Sequence, residues 1–69
     1  MPSEFADALN EVIKELAEEI DWRYEPDELM AAAPSISKIE RAVSILTEAK
    51  HEPAQSAVEL IAKYKRQQN

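Results

Sequence analysis

Sixty-nine residues make one small domain, close to the lower size at which a single apolar core suffices. The chain has no cysteine and no glycine. This excludes disulfide staples, cysteine metal sites, glycine-rich phosphate cradles and glycine-flanked nucleophile elbows. The net charge of −6 is unevenly placed: residues 1–28 hold ten acidic groups against Lys14 and Arg23, a balance of −8, and residues 29–69 a balance of +2. An acidic half repels phosphate and favours approach to a positively charged surface, although such charge also serves plain solubility. Met1-Pro2-Ser3-Glu4 lacks the basic residues and apolar run of a secretory signal. No apolar run approaches the roughly 20 residues of a membrane span. The expectation is a soluble, cytoplasmic protein that makes no membrane contact.

Glu4 to Asp21 reads as a long amphipathic helix. Phe5, Leu9, Val12, Ile13, Leu16 and Ile20 recur at three-four spacing and cover an arc of roughly 100°, the width of a core-facing stripe. The opposite face carries Asp7, Asn10, Glu11, Lys14, Glu15, Glu18 and Asp21. Ser3 is the natural N-cap. The acidic end at Glu18, Glu19 and Asp21 opposes the helix dipole by a few tenths of a kcal/mol per charge, and nothing nearby offsets it.

Pro26 disfavours a helical Glu25 and suits the first position of a new helix, with Asp27 and Glu28 in its first turn. Residues 26–32 read as a short connector ended by Pro34. A second long helix begins at Ser35-Ile36-Ser37, where Ser37 and Glu40 have capping-box spacing. Its stripe is Ile36, Ile39, Val43 and Leu46, widened by Ala42 and Ala49. Ile45 falls about 100° from the stripe and either meets a third helix or lies in an interface. His51-Glu52-Pro53 is either a kink or a turn, with Pro53 placed as a first helical residue. Ala54, Ala57, Val58, Ile61 and Tyr64 then face inward, flanked by Leu60. Without glycine, helix boundaries fall to the prolines, and no segment alternates with period two. The fold class is all-α, a small helical hairpin or three-helix domain: two long helices, a short connector and a C-terminal helix. A chain this short and unstapled often completes its core by dimerising or docking, and a homodimer is the expectation.

Catalysis finds no support: one histidine, no cysteine and no motif point to no enzyme and no cofactor. Glu48-Ala49-Lys50-His51 has the Glu-x-x-His spacing of di-iron bundles. Such a site needs a second copy of the motif and two further glutamates, so a solvated helix end is the better reading. Helix-break-helix over Ser35–Lys65 raises DNA binding. Only Gln55 and Ser56 could read bases there, and the acidic half would repel the backbone.

Trp22-Arg23-Tyr24 is the most suggestive cluster, because these residue types dominate interface hot spots. If the first helix continues, Trp22 stands about 160–180° from the core stripe, as an anchor beside carboxylates. If the helix has ended, it folds back over the core. Leu29 and Met30 are likewise either a core lid or part of a patch, and with Ile45 they are the candidates for a dimer or core interface.

Across its length the chain resembles small phage-encoded proteins that disable bacterial host factors, in particular the helical phage anti-activators of LuxR-type quorum-sensing regulators. The resemblance is one of size, helix content and acidity, carried by Glu4–Glu28 and Trp22-Arg23-Tyr24. It implies a cytoplasmic dimer whose target is the regulator's DNA-binding domain. The resulting expectation is a non-enzymatic inhibitor of a basic host protein. Glu11, Glu15, Glu18 and Asp21 would steer the encounter, and Trp22, Arg23 and Tyr24 would form the contact. The alternatives are an assembly module acting by self-association and a small DNA-binding regulator.

Overall fold

A computed structural model describes residues 3–68, which form three α-helices and one 3-10 segment. Helix α1 spans Ser3–Arg23, the 3-10 segment Pro26–Ala32, α2 Ala33–Glu48 and α3 Gln55–Gln67. At 1.5 Å per residue, α1 is about 31 Å long and sets the 37 Å long axis of the molecule.

The bundle runs up, down, up. Asn10 of α1 bonds Ala54 at the start of α3 (2.7 Å), and Asp21 bonds Lys63 near its end (2.6 Å), so α1 and α3 point the same way. Helix α2 returns between them, tied to α3 by Lys65–Glu40 at 2.9 Å. All three pairs of α-helices are in contact, and the 3-10 segment packs on α2 and α3. The fold is an all-α three-helix domain. Among the described residues, no helix is long and apolar enough to cross a membrane.

The core is apolar throughout, with Leu29, Ile36, Ile39, Leu46 and Leu60 fully buried at its centre. On α1 the buried line is Ala6, Ile13, Ala17 and Ile20, rotated toward one edge of the expected stripe. Leu9 is half-buried, and Phe5, Val12 and Leu16 are 60%, 61% and 38% exposed. The cause is that α1 serves two neighbours. Its contact line must point between α2 and α3, and Ala6 and Ala17 are small enough to let both come close.

Further positions either depart from the sequence reading or take one of the places it left open. On α3, Leu60 is deep and Val58 is 40% exposed, the reverse of the pattern expected. Ala49, just past the end of α2, is exposed, and Ile45 is 43% exposed. Of the connector pair, Leu29 is core and Met30 is exposed.

The boundaries show why. Ser3 lies inside α1 rather than capping it, and α1 runs on to Arg23, which supplies the basic last-turn residue its acidic end lacked. Pro26 opens the 3-10 segment behind an extended Glu25, whose N–H is accepted by Glu28 Oε1 at 2.8 Å. The chain then passes straight into α2. Pro34 sits in the first turn of α2 instead of ending the connector, and Ser37 falls inside the helix, so its capping box does not form. Helix α2 ends without proline or glycine. Lys50 takes the left-handed conformation (φ 61°), its N–H donates to Thr47 O, and the His51 N–H donates to Leu46 O at 2.9 Å. These two bonds make a Schellman motif with lysine where glycine is usual. Pro53 lies in a true turn over residues 51–54, and α3 starts two residues later, at Gln55.

Candidate protein-interaction surface

Helix α1 presents several environments around its circumference. Its buried line faces the core. On its α3 side, Asp7, Asn10 and Asp21 are committed to partners within the chain. Asn10 Oδ1 accepts the Ala54 N–H and Asn10 Nδ2 donates to Glu52 O (3.3 Å), which pins the 51–54 turn. Asp7 Oδ1 lies 2.8 Å from His51 Nε2, and His51 Nδ1 lies 3.3 Å from Glu52 O. Both ring nitrogens face acceptors, which only the doubly protonated imidazolium satisfies as donor twice. Accordingly the His51 pKa is raised above 6.5, chiefly by the bond to Asp7; partial desolvation opposes this, and the Glu52 carbonyl and the Asp7 charge add to it. His51 is therefore a structural clamp, and Glu48 of the same Glu-x-x-His spacing is exposed.

The third environment is the outer acidic face. Glu11, Glu15, Glu18 and Trp22 succeed one another at spacings of four, three and four, so they form one row along α1. All four are exposed, and Trp22 is 87% exposed because the helix continues beneath it. Of the two positions open to Trp22, the structure shows the one beside the carboxylates. Lys14 reaches Glu18 at 3.3 Å, an exposed i,i+4 pair worth only a few tenths of a kcal/mol. Among the described residues, Glu11 and Glu15 take part in no ion pair.

The remaining candidates do not join this row. Asp21 turns to Lys63 on α3. Arg23 pairs with Glu19 at 2.8 Å on another flank of α1. Tyr24 is half-buried against the core and is no free anchor. It lines, with Leu16, Ile20, Arg23, Ala32 and Pro34, an open groove of about 270 Å3 where α1 meets the start of α2. Leu29 is taken up by the core, while Met30 and Ile45 remain at the surface.

Two groups of consequence escaped the sequence reading. Asn10 and Asp7 looked like ordinary solvated positions, and only the return of the 51–54 turn gives them partners. Phe5, Val12 and Leu16 were assigned to the core because hydropathy alone does not show which edge of a wide stripe is buried. The alanines at the other edge, Ala6 and Ala17, were the available signal.

Comparison of the chain with known protein families, characterised proteins and solved structures gives no match.

Proposed function

We propose that this chain is a non-enzymatic binding protein that inhibits a host protein by covering a basic surface, in particular the DNA-binding domain of a bacterial transcriptional regulator of the LuxR type. The observation that carries the reading is Trp22, 87% exposed and in line with Glu11, Glu15 and Glu18. Leaving a tryptophan in water costs apolar burial that this small core could have used. Its use is in a contact. Carboxylates along one helix face steer a cationic surface and compete with phosphate for it. The indole then supplies buried area at little entropy cost.

The test is a calorimetric titration of the purified DNA-binding domain of a LuxR-type regulator with this protein at low and high salt. Binding should weaken as salt rises. Trp22→Ala should cost on the order of 2 kcal/mol, about 30-fold in Kd, with helicity and melting temperature unchanged. A full-affinity Trp22→Ala variant, or no binding to any basic regulator, would overturn the proposal. A second reading, a module acting by self-association, is favoured by the exposed Phe5, Val12 and Leu16.

A further inference from the structure

The exposed apolar residues of α1 are not scattered. At about 100° per residue, Phe5, Val12 and Leu16 fall within about 40° of one another. The residues bonded to α3 (Asp7, Asn10, Asp21) lie on the far side of the buried line, so this stripe flanks α2. The same reasoning places Ile45. Glu40 marks the α3 side of α2 through its bond to Lys65, and Ile45 lies about 140° round from it, on the side toward α1. The four exposed residues therefore border one seam, between α1 and α2, which opens at its far end into the groove beside Leu16 and Pro34. This face lies about 120° round α1 from the Trp22 row.

The seam is bordered by opposite charges. Glu15 and Glu19 edge it on α1, and Lys38 and Arg41 edge it on α2, all exposed. Because Asp7 meets His51 at one end, and Ile20 and Pro34 line the same groove near the other, the two helices are antiparallel, and these four residues stand at the same level. Glu19 is shared with Arg23. Among the described residues, Glu15, Lys38 and Arg41 take part in no ion pair.

We infer that the α1/α2 seam binds a second copy of this chain, about a two-fold axis parallel to the helices, so that each α1 lies antiparallel on the partner's α2. That axis brings Glu15 and Glu19 against Lys38 and Arg41 of the partner subunit on both sides of the axis. The other in-plane axis would set α1 on α1 and oppose like charges, which is unfavourable. Phe5, Val12, Leu16 and Ile45 form the apolar centre and the four charges the rim, the usual anatomy of an interface. The area suffices. A standard interface takes about 800 Å2 per partner, roughly a sixth of the 4976 Å2 surface, and the seam is one of three sides of the bundle.

The inference builds on the dimeric reading and shares only Glu15 with the Trp22 row, so it is measured on the protein alone. Sedimentation equilibrium should show a dimer, and Val12→Glu should weaken it on the order of 100-fold without loss of helicity, since Val12 is already solvent-exposed. A charge swap tests the orientation. K38E/R41E and E15K/E19K should each dimerise at least about 10-fold more weakly, and an equimolar mixture of the two should recover the lost affinity as a heterodimer. A monomer at concentrations of about 200 μM, an unchanged Val12→Glu dimer, or a mixture no stronger than its components would overturn the inference. Val12→Glu leaves the Trp22 row untouched and Trp22→Ala leaves the seam untouched, so with these two variants the proposals fail separately.

Discussion

The two junctions of the bundle are built by opposite means. Between α1 and α2, the chain turns on local chemistry. Glu25 is extended because Pro26 follows, Glu28 reaches back to the Glu25 N–H, and a short 3-10 segment delivers Leu29 to the core. Between α2 and α3, residues 51–54 have no regular structure. They are held by side chains some forty positions earlier: Asn10 on Glu52 O and the Ala54 N–H, Asp7 on His51. The first junction is specified by its own sequence and anchored by an apolar side chain. The second is tied to α1, and its anchors are polar. Lys50 stands left-handed at its entrance, a conformation that non-glycine residues resist by about 1 kcal/mol or more.

The contrast can be broken at its strongest point first. Leu29→Ala should destabilise the domain by about 3 kcal/mol, the usual cost of a truncated core leucine. A 69-residue domain has roughly 3–10 kcal/mol of stability in total, so urea denaturation should show a large fall in midpoint. Asn10→Ala, at the other junction, removes two bonds and leaves the part-buried Ala54 N–H unsatisfied. A loss of about 1–2 kcal/mol is expected, with amide exchange accelerating in residues 51–57 before the rest of the bundle. Lys50→Gly acts in the opposite direction. It relieves the left-handed lysine and should stabilise by about 1 kcal/mol at most, offset in part by glycine's greater freedom in the unfolded chain. If Lys50→Gly is neutral or harmful, the Schellman geometry is not a source of strain.

The smallest effect concerns pH. His51 has its pKa raised by Asp7, so its contribution to folding is fully present below the unfolded value near 6.5. That contribution is lost as pH rises through the higher folded value. The clamp should thus hold best in mildly acidic solution and slacken in alkali. An NMR titration of the imidazole should place its pKa above 6.5 in the native protein and shift it down in Asp7→Asn. An unshifted midpoint in that variant would show that the Asp7 contact is not formed in solution.

By itself, the sequence determined the helical class, the long first helix, the connector over 26–32, an interruption near His51–Pro53 that it left open as kink or turn, and an acidic face of Glu11, Glu15, Glu18 and Asp21, of which only Asp21 is drawn away. Each follows from local physics: apolar spacing at 3.6 residues, proline's fixed φ, the absence of glycine and of alternating segments. It also brought Trp22 to notice, because tryptophan is among the residue types enriched in interface hot spots. Only the tertiary structure decided which part of each apolar arc is buried. A helix packed against two neighbours turns its contact line to the angle between them, and small residues such as Ala6, Ala17 and Ala57 can occupy that line as well as large ones. On α1 that rotation exposed Phe5, Val12 and Leu16, and on α3 a corresponding one left Val58 outside and took Leu60 in. It likewise separated the Trp22-Arg23-Tyr24 cluster, sending Trp22 to water, Arg23 to Glu19 and Tyr24 to the core. Side chains adjacent in sequence point about 100° apart on a helix, so a cluster in the chain need not be a cluster in space.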